Sequence, residues 1–313
     1  MISVLTSVYN ENESEIRESF DSILGQTYRD FELIVVLDNP NNETARRLLD
    51  EYVQRDSRVK VAVNEKNIGL ALSMNVAAEM ATGEYLLRMD ADDVCALDRF
   101  QKQIDAIAGT DYALVCGSYD FIDEAGNLLP QKAPFYNERQ LTKLLPYRNV
   151  IHHPTVIMRA DKFREVGGYR NYPCAQDYDL WLRMLLAGAK MRMQPEKLIK
   201  YRVRAASTTL SKRYRQSCTG EYIRRLYWQK NGMSGYSYEG YLAYLEKRGA
   251  NDKDANADFI ANSALYQDSK RALKRGRVLS GALGLYKVFF KSKYYRPNVG
   301  NSAIVAFITK FAK

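Results

Sequence analysis

Cysteine and histidine are scarce in this chain of 313 residues, with four of the first and two of the second. Cys95, Cys116, Cys174 and Cys218 stand far apart with no CxxC pair, so neither a zinc site nor a disulfide framework organises the fold. With only His152 and His153 present, general-base chemistry is expected of a carboxylate. No run reaches the roughly 18 apolar residues of a membrane span, so none is expected. Met1-Ile2-Ser3-Val4-Leu5 has no basic leader and no cleavage site, which predicts a cytoplasmic protein in a reducing setting. No GxGxxG follows this first strand pattern, which disfavours a dinucleotide-dependent dehydrogenase. Low-complexity segments and internal repeats are missing too. Acidic side chains stop at Asp268: from Lys270 onward there are 11 basic residues and none acidic.

The net charge of +9 is therefore uneven. Residues 1–210 hold 26 Lys+Arg against 30 Asp+Glu, and residues 211–313 hold 20 against 7. Such a tail predicts an anionic partner such as a phospholipid surface, or else a solvated basic helix face. A nucleic-acid-binding protein would account for the tail but not for the acidic first part, and no recognition motif is present, so no nucleic-acid partner is expected.

What is present in the first half is an alternation of strand and helix patterns, the arrangement that builds a parallel sheet. Ile2–Val8, Phe31–Asp38, Val59–Asn64, the segment after Gly83, Tyr112–Ser118 and Val156–Arg159 read as strands. Ser14–Leu24, Glu43–Gln54, Gly69–Ala81 and Gln176–Leu186 read as helices. Beyond about Ser211 the strand signal fades and aromatic, basic helices take over, including a pair at Asn256–Arg275 and Arg277–Lys291. Leu279, Leu283, Tyr286 and Phe290 form an apolar stripe on the second of these, and Ala303–Phe311 is a further apolar stretch. Packed structural helices and an interfacial helix on anionic lipid both fit this pattern.

The run Glu84-Tyr85-Leu86-Leu87-Arg88-Met89-Asp90-Ala91-Asp92-Asp93 delivers three carboxylates within four residues at the end of a strand. Their mutual repulsion is relieved by a hard cation such as Mg²⁺ or Mn²⁺, which clamps phosphate oxygens, or by a solvated turn capping a helix near Ala96. The first strand ends in Thr6-Ser7-Val8-Tyr9-Asn10-Glu11-Asn12, at the edge where open α/β sheets bind nucleotides. There Tyr9 can stack on a base while backbone groups of Thr6 and Val8 meet its edge; an ordinary turn capped by Asn12 or Ser14 is the alternative. Asp38, at the end of the second strand, suits the N3–H of a uracil or an N-cap. Asp177 opens a helix whose Tyr178, Trp181, Leu182 and Leu185 recur at core-facing spacing, which turns Asp177 toward a cleft as a base; a simple N-cap is the alternative, a structural role that Asp179 suits better.

Ser7-Val8-Tyr9-Asn10-Glu11, Ser22–Tyr28, Phe31–Asp38, Asn67–Asn75, Asp90–Asp93, His153-Pro154-Thr155 and Gln176–Arg183 occur in an order that resembles the inverting family 2 glycosyltransferases over about residues 1–205. The resemblance implies a GT-A α/β fold, Rossmann-like, with a mostly parallel central sheet flanked by helices and a helical C-terminal extension. It implies a catalytic domain over 1–210, with nucleotide-sugar binding at about 1–95 and the acceptor half at about 96–210, followed by 211–313.

By the same resemblance Thr6, Val8, Tyr9, Glu11 and Asp38 hold base and ribose, and Asn67, Gly69 and Asn75 frame the diphosphate and donor. Asp90-Ala91-Asp92 is the DxD segment, with Asp90 and Asp92 on Mn²⁺ or Mg²⁺, and Asp93 adds a contact to sugar or metal. Asp177 is the catalytic base, and His153, Trp181 and Arg204 lie toward acceptor or diphosphate. The chain departs from the family pattern at Asn39-Pro40 (for Gly-Ser), at Gln176 (for Glu) and at Arg204 (for His). The implied reaction moves a sugar from UDP-Glc, UDP-Gal or an N-acetyl form to a glycan or polyprenyl-diphosphate-linked acceptor. The expected location is the inner face of the cell membrane, peripherally held. A nucleotidyltransferase shares the acidic nucleotide cleft, but its usual glycine-rich basic loop after the first strand is missing.

Overall fold

Phe31–Leu37 is buried along its whole length and forms strand β2, as a continuous apolar run covered on both faces should. The computed structural model describes residues 1–204, 213–229, 232–292 and 294–311; the domain boundary expected near Ser211 lies outside them. β2 lies parallel between β1 (Ile2–Val8) and β3 (Val59–Val63), and β1 pairs in parallel with β4 (Tyr85–Arg88). Helices α1 (Glu13–Leu24), α2 (Glu43–Arg55) and α3 (Leu70–Met80) make the crossovers. Asn12 caps α1 in a reciprocal capping box with Glu15, which fixes the direction of the chain as it leaves β1.

The sheet continues with β5 (Val94–Cys95), β6 (Tyr112–Ile122), β7 (Leu128–Lys132), β8 (Ile157–Arg159) and β9 (Lys190–Arg202). Its order is β3-β2-β1-β4-β8-β6-β9-β5, with β7 paired to β6. β8 runs antiparallel between β4 and β6, whereas β6 and β9 are parallel. The result is a mixed, mostly parallel sheet flanked by helices, in agreement with the expected fold class. Helices α4 (Arg99–Ile107), α5 (Glu138–Leu144), α6 (Ala160–Glu165) and α7 (Gln176–Leu186) follow in the second half.

Strand order reverses at β1, with β2 and β3 on one side and β4 on the other. Val8 is in register with Leu37, and Leu5 with Arg88, so the carboxyl ends of β1, β2 and β4 open on one edge. That edge carries Tyr9, Asp38 and the Asp90–Asp93 turn, the position where such sheets bind ligands.

The chain divides into two compact units: Met1–Thr142 with Asn149–Arg204, and Lys143–Arg148 with the described residues beyond Arg204. The second unit is helical, with α8 (Arg213–Tyr227), α9 (Tyr238–Lys247), α10 (Lys253–Lys274), α11 (Val278–Lys291) and α12 (Arg296–Phe311). Tyr214 is buried at its centre, donating its hydroxyl to the Arg248 carbonyl at 2.9 Å, and Phe259 packs on Tyr295 at 5.1 Å between ring centres.

Candidate active site

The acidic turn is held by three arginines, one at the end of β4 and two at the end of β9. Arg88, fully buried at the end of β4, pairs with Asp90. Arg204, just past β9, lies 2.8 Å from the Asp92 carboxylate and 3.0 Å from that of Glu15. Arg202 donates its Nε to the Asp92 carbonyl at 2.9 Å and pairs with Glu18 at 2.5 Å. A fourth, Arg99, is buried on α4 and donates to the carbonyls of Arg88 (2.9 Å) and Pro154 (2.8 Å), bolting the turn to the His153 loop. None of the Asp90–Asp93 side chains caps α4, which starts at Arg99 after Asp98, so the capping alternative for the turn falls away.

The three aspartates are not equivalent. Burial pushes Asp92 up to about 6, Asp90's charge adds to this, and Arg204 opposes it. Asp93 has no exposed surface; it accepts the Arg202 N–H at 2.9 Å through one oxygen and nothing through the other. Burial and its two neighbours hold its pKa well above the usual carboxylate range. Asp93 therefore braces the turn from beneath, without exposed surface. Among the described residues no three His, Cys, Asp or Glu side chains are grouped to hold a metal ion. Two hard carboxylates that repel one another, Asp90 and Asp92, nevertheless fit Mg²⁺ or Mn²⁺, which commonly takes one or two carboxylates and completes its shell with water and substrate phosphates.

At the carboxyl end of β1, Tyr9 is 42% exposed. Its N–H donates to Glu11 at 2.6 Å, and burial raises the Glu11 pKa. Thr6 is fully buried and donates its hydroxyl to the Met89 carbonyl at 2.8 Å, so its side chain ties β1 to the acidic turn. Asp38 is also buried: it accepts Asn64 Nδ2 at 2.8 Å and the N–H groups of Ile68 and Gly69 at 2.9 Å each. Its carboxylate thus anchors the start of α3, where Gly69 takes φ +85°, a left-handed angle suited to glycine. Asn67 is exposed beside it. Asn75 grips the backbone of Tyr169 from both sides, donating to its carbonyl at 2.8 Å and accepting its N–H at 2.9 Å, which gives it a scaffold role.

Asp177 occupies the second position of α7, behind an N-cap at Ala175, so it is not the cap. Ala175 has φ 59°, the one non-glycine left-handed residue among those described. Such a conformation persists where the surroundings enforce it. Asn149 donates its Nδ2 to Asp177 at 2.8 Å. Burial raises the Asp177 pKa, Asn149 and two backbone N–H groups oppose the rise, and Asp90's charge adds to it. A carboxyl made more basic, beside the acidic turn, is what proton abstraction requires.

Asp179, two positions on and on the opposite face of α7, is fully buried between Arg183 (2.7 Å) and Arg170 (3.3 Å), an ion-paired strut. Trp181 is fully buried too, its ring edge-on to His153 at 6.0 Å, and it presents no surface. His153 shares a 2.8 Å hydrogen bond with the Tyr169 hydroxyl, and burial keeps it neutral. Its neighbour His152, which the sequence pattern did not single out, stacks on Tyr119 at 4.1 Å and meets Tyr201 edge-on at 4.4 Å. Burial holds it down at about 4 while Asp90 pulls upward. Arg88 and Asn149 were missed as well. A charged residue inside an otherwise apolar strand was a signal for Arg88; for Asn149 the sequence holds none.

The model of glycosyl transferase family 2 matches residues 3–167. An uncharacterized glycosyltransferase of Methanocaldococcus jannaschii is 33% identical over 73% of this chain and 80% of its own length. The O-antigen biosynthesis glycosyltransferase WbnJ of Escherichia coli is 32% identical over 72% of this chain and 88% of its own. Among solved structures, S. aureus TarS residues 1–349 in complex with UDP-GlcNAc superposes with a TM-score of 0.58 at 19% identity, covering 79% of this chain and 70% of that one. That last likeness concerns the fold alone. A family match over more than half of the sequence, with relatives above 30% identity along most of it, makes this chain a member of glycosyl transferase family 2.

Proposed function

We propose that this protein transfers a sugar from a UDP-sugar to a hydroxyl group of a glycan or polyprenyl-diphosphate-linked acceptor, with inversion, during assembly of a surface polysaccharide. UDP-Glc, UDP-Gal and their N-acetyl forms are the donors to test first. WbnJ is named for O-antigen biosynthesis, which supports the pathway class, and TarS, alike in fold alone, was solved with UDP-GlcNAc, the donor class to try first. The observation that carries the reading is Asp177: a desolvated carboxyl, oriented by Asn149 and within the field of Asp90.

In the proposed reaction the acceptor oxygen attacks the anomeric carbon as its proton passes to Asp177. The bond from that carbon to the diphosphate breaks, its electron pair leaving with UDP, and a single displacement inverts the centre. Tyr9 stacks on the uracil, and Glu11 lies close by toward the ribose. Asp90 and Asp92 would hold Mg²⁺ or Mn²⁺, which when bound neutralises charge on the leaving diphosphate. Arg204, whose guanidinium already lies against Asp92, can swing to diphosphate oxygens. Residues 1–210 form the catalytic domain in this account, with donor contacts in about the first 95 residues and acceptor contacts after them. The protein works at the inner face of the membrane, held there by residues 211–313.

The test is nucleotide release from a panel of UDP- and GDP-sugars with Mn²⁺ or EDTA. UDP released from one UDP-sugar, only with metal, is expected. Pyrophosphate release from a nucleoside triphosphate and a sugar phosphate would assign a nucleotidyltransferase instead.

A further inference from the structure

Helix α11 has its small side turned inward and its large apolar side turned outward. A Cβ on Gly281 would lie 2.9 Å from the Ser269 carbonyl oxygen, and one on Gly284 would collide with the Ser269 hydroxyl, so close packing on α10 requires glycine at both. Val288 completes this buried side. On the opposite side stand Leu279, Leu283, Tyr286 and Phe290, spaced along one helix face and between 55% and 89% exposed. The Tyr286 and Phe290 rings pack together at 4.6 Å, making a continuous apolar ridge. On α12, Ile304 and Phe307 are exposed as well. A contiguous apolar face of this kind marks a surface that something covers.

We propose that α11 is an interfacial anchor that seats the C-terminal unit on an anionic lipid surface. Charge selects this occupant. Exposed Lys274, Arg275 and Arg277 lead into the helix that bears the ridge, exposed Lys287 follows Tyr286 on it, and no acidic residue follows Asp268. A second copy docked across a two-fold axis would set one basic rim against another, which opposes association. An anionic bilayer meets the ridge with acyl chains and the rim with headgroups at once. No described helix is long and apolar enough to cross a membrane, so the seat is on the surface. The inference deepens the membrane part of the reading above, and because binding is measured without substrate, either can fail alone.

Flotation of the full-length protein with phosphatidylglycerol-rich and with pure phosphatidylcholine vesicles tests it, alongside light scattering for mass. Binding to the anionic vesicles alone, weakened by salt, is expected. Leu279→Ser with Phe290→Ser, both at exposed positions, should lower the partition coefficient at least about tenfold. Lys287→Glu, which keeps the ridge, should lower it less. Equal or absent binding to the two vesicle types overturns the proposal, as does a dimer that the double variant splits into monomers.

Discussion

Glu32, at the edge of the sheet opposite the acidic turn, offers a quantitative test of the fold. It is buried at the start of β2 and accepts hydrogen bonds from Ser3 Oγ (2.6 Å), Thr82 N (2.8 Å) and Thr82 Oγ (2.8 Å), with Lys60 Nζ at 2.6 Å. One side chain thereby ties β1, β2, β3 and the turn into β4. Burial pushes its pKa up, but Lys60, Ser3 and Thr82 more than offset this and hold it at about 2 instead of 4.5. At about 1.4 kcal/mol per pKa unit, that difference corresponds to at most about 3.5 kcal/mol of folding stability, which solvent around the 44% exposed Lys60 reduces to about 2 to 3. The folded pKa lies below the unfolded one, so the contribution is complete above about pH 4.5 and disappears as the pH falls toward 2. Glu32→Gln should therefore lower the urea-unfolding free energy at pH 7 by about 2 to 3 kcal/mol, and the gap from wild type should close on acidification. A gap under about 0.5 kcal/mol at pH 7, or one independent of pH, would refute the reasoning.

Three further outcomes are expected. Asp179→Asn strips the partner from buried Arg183 and should cost about 3 kcal/mol or more in a melting experiment, whereas Asp177→Asn should change stability little. Asn149→Ala removes the hydrogen bond that favours ionised Asp177, so the acidic limb of the turnover–pH profile should move to higher pH while donor affinity, read by calorimetry, holds. Asp92→Ala should abolish the Mn²⁺-dependent part of UDP affinity in calorimetry; equal affinity of the wild type in EDTA would remove the metal from the account.

Local pattern made much of the fold legible. The buried run Phe31–Leu37, the helical spacing in α1 and α7 and the Asp90–Asp93 turn are each written in neighbouring residues. β9 escaped because its thirteen residues carry Pro195, Glu196 and Lys197 at the centre, which read as a loop. The antiparallel sense of β8 was hidden for another reason: three residues carry no directional signal. In the site, residue types were readable while partnerships were not. Arg202 reaches Asp92 and Asp93 across about 110 positions, and the antiparallel pairing of β5 with β9 brings it there. Asp38 suited a base-contacting role by position, yet its oxygens are occupied by Asn64, Ile68 and Gly69, which only the folded chain reveals. Trp181 likewise looked available by motif, but the buried face of α7 claims it.

The central claim, inverting sugar transfer with Asp177 as the base, is tested most directly by turnover of Asp177→Asn at saturating donor. The variant keeps the shape of the side chain and can still meet Asn149, but it cannot take the acceptor's proton. The account predicts turnover reduced by about 10² or more, with UDP-sugar binding retained in calorimetry. Near-normal turnover in that variant would contradict it and move the role to another carboxylate.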